Sequence, residues 1–426
     1  MNNIQDMILK KITSVLLGLL VITSSALGQD TASLSLPDVF SEIDQSYPLL
    51  RLYQNRIKSI KALAEGAKSW MPPTVSLAID KFPYQLGMIK ENSPMNQAGL
   101  MFSVEQMIPN PSKLNAKRDF ILSQQEISGN EAEWEKNILH YTARLYYYRR
   151  YTAERKLKLV SEYAELLQML IKTAKDKYVY NQADLPAIFK AEASYSELKN
   201  MKTMLLSQIA ESSIGVNTLM SRNVNAPFLI DSVLQPKDYK TDFLNTSDTF
   251  FINRSDILAV ESRIGSMRSN QRLAATDSKP DFGIRVSHAQ MFGMPNQFSI
   301  MGMITVPIVP WASRMYKSEV RSMNFEIEAM ENERATMRLM ATQMIREKIT
   351  MLNYENLQLQ NLDTSIVPAY RKNLESNLIA YRQNTGTFFV LLDAWNMLLM
   401  KEMERIDKLG QVFALQAEYE YQREIK

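Results

Sequence analysis

From Leu114 to Tyr180 the chain has no proline and a single glycine, Gly129, in a stretch led by Glu, Lys, Leu, Ala and Met. Proline and glycine are the residues that end helices, so the stretch predicts one helix of about 65 residues. At about 1.5 Å per residue such a helix is roughly 100 Å long. An elongated molecule is therefore required. A second stretch, about Ser313 to Ala380, has the same character but contains Pro368, where a kink is expected.

Two such helices suggest an internal duplication, and matching landmarks support it. Pro73 pairs with Pro280, Asn96-Gln97 with Asn296-Gln297, Pro109 with Pro310, and Tyr178 with Tyr381, at offsets of 207, 200, 201 and 203. Each half reads as a helix (Pro37 to Ser69; Phe250 to Ser278), two alternating segments, a long helix (114–180; 313–380), a turn, and a helix of about 35 residues. The first repeat is assigned to 29–220 and the second to 249–426. The intervening segment 221–248, rich in Asn, Asp, Ser and Pro, reads as a connector.

The four short segments, about 73–82, 98–108, 281–290 and 297–308, alternate with period two. Val75, Leu77 and Ile79 alternate with Ser76, Ala78 and Asp80, and Phe282, Ile284 and Val286 alternate with Gly283, Arg285 and Ser287. Period two marks strands with a different environment on each face. Their length of about ten residues fits a tilted membrane strand, although a sandwich strand with one face on a core has the same pattern.

The N-terminus bears on the choice. Lys10 and Lys11 precede the apolar stretch Ile12 to Ile22, too short for a membrane helix, and Ala26 and Gly28 are small at the positions a signal peptidase reads. Residues 1–28 are therefore expected to be a signal peptide. The chain has no cysteine, hence no disulfide framework and no thiolate metal site. Four strands cannot close a barrel, and open edges are not tolerated in lipid. A membrane barrel would have to be shared between chains.

A duplicated helix, strand, strand, long helix, helix unit behind a signal peptide resembles the TolC family of outer-membrane efflux proteins. Tyr381 to Ala394, YRQNTGTFFVLLDA, followed by Leu398 and Leu399, is the most specific stretch, with a weaker version at Tyr178 to Ala191. The resemblance implies an α+β membrane protein, a homotrimer with a twelve-stranded outer-membrane β-barrel and a twelve-helix periplasmic α-barrel. It implies as partners a periplasmic adaptor, an inner-membrane RND-type pump and outer-membrane lipid, with no cofactor. The expected location is the outer membrane, extending into the periplasm. Gln106 to Leu114, QMIPNPSKL, is similar to the QxxPxPGKL of the heavy-metal, CzcC and CusC-like, branch, with Ser112 in place of the glycine; Val306 to Trp311 is the second-half counterpart. That points to heavy-metal cations as cargo. A multidrug or small-molecule channel of the same fold is the alternative, followed by an adaptor-type coiled-coil protein.

In such tunnels the two short helices of each half stack end to end beside the long one. In the first half, 33 and 36 residues stand against 67, as that packing requires. The resemblance assigns Tyr381 to closure of the periplasmic aperture and Asp393 to the pore, where a ring of carboxylates would concentrate cations. Gly386 stands where the family has a gate arginine and Ala187 where it has a gate aspartate, so the closing network must differ; Arg382 is a candidate substitute. Asn181, Gln182, Asn384 and Thr385, at the hairpin tips, are the expected adaptor-docking residues.

Other features have plainer readings. Met323, Met330, Met337, Met344 and Met351 recur every seven residues, which would suit soft metal ions but better fits a helix-packing seam. Tyr146, Tyr147, Tyr148 and Tyr151 with Arg149 and Arg150 resemble a nucleic-acid patch. Export and a formal net charge of only +3 argue against nucleic acid, and adjacency around one helix favours packing. His140 and His288 fall in different elements, and no nucleophile elbow, phosphate loop or metal cluster is present, so no enzyme is expected.

Overall fold

Helix boundaries follow the punctuation of the chain. The structure, a computed structural model, describes residues 33–90, 97–180, 183–231, 233–244 and 254–425. The expected signal peptide lies outside these residues. Strand β1 (Ser33–Leu34) leads into α1 (Leu36–Ser46), whose first turn is closed by a capping box. The Asp38 N–H donates to Ser35 Oγ at 3.4 Å, and the Ser35 N–H donates to Asp38 Oδ2 at 3.0 Å. The single helix expected over Pro37 to Ser69 is in fact two. Pro48 disfavours a helical residue before it and has no N–H to give, and Tyr47 is accordingly extended at φ −69°, ψ 125°. Helix α2 (Pro48–Gly66) opens on that proline.

Strands β2 (Thr74–Asp80) and β3 (Gly99–Ile108) lead to α3 (Pro111–Tyr178), a 68-residue helix. Asn110 caps it by accepting from the Ser112 N–H at 3.0 Å, with Pro111 in the first helical position. Helix α4 (Leu185–Leu219) returns alongside, and the connector carries β4 (Leu229–Ile230) and α5 (Lys240–Leu244). The second half repeats the order with α6 (Ser255–Ala275), β5 (Phe282–Met291), β6 (Gln297–Ile304), α7 (Pro310–Asn361), α8 (Val367–Arg382) and α9 (Phe388–Arg423).

The irregularity expected at Pro368 is a five-residue π turn, Leu362–Ile366, just ahead of it. Proline supplies no N–H to the carbonyl of Thr364, four residues back, and its ring crowds that carbonyl; one extra residue in the turn relieves both.

Strands β2, β3, β5 and β6 form one antiparallel sheet in that order, with β3 pairing β5 across the two halves. Strands β1 and β4 pair in parallel, a contact that two-residue strands do not announce in sequence. The hydrophobic core sits in the helices, not under the sheet. One cluster gathers Tyr147, Tyr148 and Tyr151 of α3 with Val216 of α4, Phe228, Ile349 of α7 and Phe413 of α9. A second, nearer the hairpin tips, gathers Leu167, Ile188, Leu391 and Trp395. Among the described residues no helix is long and apolar enough to cross a membrane.

Candidate functional site

In an antiparallel sheet, residues directly opposite one another share a face. The register therefore sorts the sheet into two surfaces. Val75, Leu77 and Ile79 lie opposite Val104, Phe102 and Leu100; Val104 and Ile108 face Val286 and Phe282; and Phe282, Val286 and His288 face Ile304, Ile300 and Phe298. Among the described residues this apolar surface is left open: Phe298 is 78% exposed and Ile300 68%. Burying such a surface in lipid or protein would be favoured by about 25 cal/mol per Å².

The opposite surface is polar. Ser76, Ser103, Ser287 and Ser299 align in one row across all four strands, with Ser76 Oγ 2.6 Å from Ser103 Oγ. In the next row Arg285 donates from Nε to Glu105 Oε2 at 2.9 Å. Strands β2 and β6 each have one neighbour in the sheet, so their outer hydrogen-bonding edges have no strand partner among the described residues.

The stretch Gln106 to Leu114 forms the junction between sheet and helices. Gln106 Nε2 donates to the carbonyl of Met71 at 3.0 Å. The Asn110 N–H donates to Asp281 Oδ1 at 2.9 Å, and Lys113 Nζ lies 2.7 Å from Asp277 Oδ1, a pairing that raises the lysine pKa. The junction thus ties the start of α3 to the segment that enters β5, joining the two halves.

At the far end, α8 closes in a Schellman motif. Asn384 takes the left-handed conformation, φ 58°, the Thr385 N–H donates to the Ala380 carbonyl at 2.9 Å, and the Asn384 N–H to Tyr381 at 3.3 Å. A Cβ at Gly386, where an arginine was the family expectation, would lie 3.1 Å from Ala380 Cβ, a tight contact with the end of α8. Tyr381 is 3% exposed and packs on Phe388 within its own protomer, ring centroids 5.6 Å apart. Its hydroxyl is buried without a partner, and burial raises its pKa.

Lys177 of α3 binds the two tips together. Its Nζ donates to the Tyr381 carbonyl at 2.9 Å and to Asn384 Oδ1 at 2.6 Å, and stands 4.3 Å from the centroid of the Tyr381 ring. Sequence reasoning passed over Lys177, although it precedes Tyr178, the residue that the repeat aligns with Tyr381. Arg382 and Asp393 are exposed and form no hydrogen bond or ion pair among the described residues. Thr385 is exposed in the turn. Asn181 and Gln182 lie outside the described residues. Ala187 is buried in the core near the tips.

The plainer readings are placed as well. Met330 and Met337 pack against the small cluster of Val260, Ile264 and Ile327, whereas Met344 and Met351 are exposed. Tyr147, Tyr148, Tyr151 and Arg150 are buried, with Arg150 donating to the Phe228 carbonyl at 2.7 Å.

No family model matches this chain, and no curated protein matches it in sequence. Solved structures do match it in fold. The outer-membrane channel OprN superposes with a TM-score of 0.74 at 13% identity, covering 91% of this chain and 89% of that one. The outer membrane protein VceC of Vibrio cholerae gives 0.73 at 14%, covering 91% and 95%. CusC, described for its transmembrane channel formation, gives 0.75 at 12%, covering 93% and 95%. The chain has the fold of these TolC-like outer-membrane channels.

Proposed function

We propose that the chain is one protomer of a homotrimeric outer-membrane efflux channel that passively conducts solutes, with heavy-metal cations as cargo. The observation that carries this reading is the sheet: two faces of opposite character, an exposed apolar surface, and two outer edges without a strand partner. Such a sheet is satisfied by closure with copies of itself in lipid. The helices then extend as a periplasmic tunnel. An inner-membrane RND-type pump and a periplasmic adaptor would supply energy and docking, the adaptor at the tips around Asn181, Gln182, Asn384 and Thr385.

Asp393 is exposed and its carboxylate has no partner among the described residues, which suits a carboxylate ring that draws cations into a narrow tunnel. The aperture would be closed near Tyr381, Arg382 and Gly386, with Lys177 fixing the tips within each protomer. The heavy-metal assignment is supported by Gln106 to Leu114, the junction described above. The test is fractionation followed by reconstitution. The protein should co-fractionate with outer membranes as a detergent-stable trimer and conduct ions in planar bilayers, and Asp393→Asn should lower cation selectivity. A soluble monomer without conductance would refute the channel. Deletion that sensitises cells to drugs but not to metal salts would refute the metal cargo.

A further inference from the structure

The two ends of the four-stranded sheet differ in charge. At the helix end four chain segments meet: 61–70, 111–119, 277–281 and 310–317. Gln106 ties the first to the second through the Met71 carbonyl, and Asn110 and Lys113 tie the second to Asp281 and Asp277. The Thr305 N–H, donating to the Asp281 carbonyl at 2.9 Å, brings in the strand that leads to the fourth. Together these segments carry eight cations and four carboxylates, net +4, whereas the whole chain carries only +3. The rest of the molecule is therefore slightly negative. The segments that join the strands at the other end, 80–99 and 288–297, hold two cations and two carboxylates. Charge that served solubility alone would have no reason to gather at one end of the sheet.

Most of these cations lack a counter-charge. Lys113 takes two of the four carboxylates, lying 2.7 Å from Asp277 and 4.0 Å from Asp281. Lys68, Lys117, Arg118, Lys279, Arg314 and Lys317 are exposed and form no ion pair among the described residues. Tryptophan marks the same level. Of the four in the chain, Trp134 packs on Tyr421 with ring centroids 5.1 Å apart, and Trp395 is buried. The other two, Trp70 and Trp311, are 54% and 79% exposed, and both flank the sheet at this end. The indole ring, apolar with one polar edge, favours the layer where hydrocarbon gives way to headgroups. The apolar face of the sheet also ends here, with Ile108, Phe282 and Ile304 as its last row.

We propose that this junction binds anionic phospholipids, its six unpaired cations taking the headgroup phosphates of the leaflet that faces the helices. The proposal rests on the channel reading, which puts the sheet in a membrane, and it names the lipid class that holds the channel at its depth. Lysine and arginine both bind phosphate. A zwitterionic lipid offers the same phosphate, but its own ammonium group cancels the attraction.

The experiment uses the full-length protein in non-ionic detergent, titrated with phosphatidylglycerol or phosphatidylcholine of the same acyl chains and read by native mass spectrometry. The wild type should retain phosphatidylglycerol in preference, and added salt should weaken the preference. Lys117→Gln/Arg118→Gln/Arg314→Gln/Lys317→Gln should lose it, at about fivefold in affinity for each cation removed. Lys172→Gln/Lys190→Gln/Lys199→Gln/Lys202→Gln, on the hairpin of α3 and α4, should keep it. All eight side chains are exposed, so both variants should fold, with circular dichroism as the check. Equal retention of the two lipids by the wild type, or an unchanged preference in the junction variant, overturns the proposal. Inorganic phosphate in excess should leave the lipid bound; release by phosphate would assign the cations to a free anion and overturn it as well. A conducting trimer without lipid preference leaves the channel reading standing, and a protein with neither trimer nor conductance overturns that reading instead.

Discussion

The two long helices, α3 and α7–α8, occupy matching places in the repeat, yet the molecule treats them differently. Helix α3 is unbroken over 68 residues and is packed by α2, α4, α6 and α9. Helix α7 is packed by α6 and α9 and leaves Met315, Phe325, Leu339 and Tyr354 exposed. Duplication therefore set the order of elements, and burial then divided the work. One helix holds the protomer together, while the other presents an apolar flank that, in the proposed trimer, a neighbouring copy would cover. The same division is visible within one turn of α9. Glu420 (1% exposed) faces α3 and lies 2.9 Å from Arg144 Nε (2% exposed), while Glu418 (32% exposed) faces α7 and meets Lys348 (24% exposed) at 2.7 Å.

That pair gives the sharpest way to break the comparison. Glu420→Ala should cost about 3–5 kcal/mol, because it strands a buried guanidinium. It would also remove acceptors used by Tyr239 and Lys237, which tie the connector to α9. Glu418→Ala should cost less than about 1 kcal/mol. Urea unfolding followed by circular dichroism measures both, and equal costs would mean that α3 is not the structural spine.

Packing provides the next contrast. Leu167 of α3 is fully buried and Leu339 of α7 is 74% exposed. Leu167→Ala should destabilise by about 2–5 kcal/mol through the cavity it leaves. Leu339→Glu should leave the unfolding of the protomer unchanged while weakening the trimer, read by size-exclusion chromatography with light scattering. A trimer that survives Leu339→Glu would separate the exposed flank from assembly.

A smaller effect is expected at the tip between α8 and α9. Asn384→Ala should cost about 1 kcal/mol, because alanine lacks the short polar side chain that eases asparagine into the left-handed conformation, and it also removes the Lys177 contact. Asn384→Gly keeps the conformation and loses only the contact. A double-mutant cycle with Lys177→Met, read by hydrogen exchange of the tip amides, isolates that contact.

Much of this architecture is legible in the sequence because it depends on local rules. The period-two segments place Val75, Leu77 and Ile79 on one face, and the scarcity of Pro and Gly gives α3. The kink at Pro368 was marked by its proline, whereas the break at Pro48 was overlooked in reading one helix over Pro37 to Ser69; the forms of both, an extended Tyr47 and a π turn ahead of Pro368, depend on what the neighbouring backbone can absorb. The Arg144–Glu420 pair and the Lys177 contacts join residues more than 200 positions apart, and nothing local in the sequence signals them. For Tyr381, the motif gave the position, and the fold alone showed the side chain buried inside its own protomer.

The smallest effect tests whether the interruption in the second half is a joint. Arg405 Nη1 of α9 reaches Asp363 Oδ1 in the π turn at 3.1 Å, and both side chains are well exposed. Arg405→Met should therefore move the global unfolding midpoint by less than about 1 kcal/mol. Its effect should be local, since the turn has already lost one backbone donor at Pro368 and relies on side chains from α9 to hold its place. Faster hydrogen exchange confined to 362–366 is the expected result. Pro368→Ala should act in the opposite direction. Restoring the N–H removes the reason for the extra residue, and a return to regular α-helix would rotate α8 by about 100° relative to α7, given 3.6 residues per turn. Arg371, which now meets Glu402 at 2.7 Å, would be carried away from it. If exchange at 362–366 is as slow in Arg405→Met as in the wild type, the π turn is a rigid offset that sets the register of the tips, and the two long helices differ in shape but not in mobility.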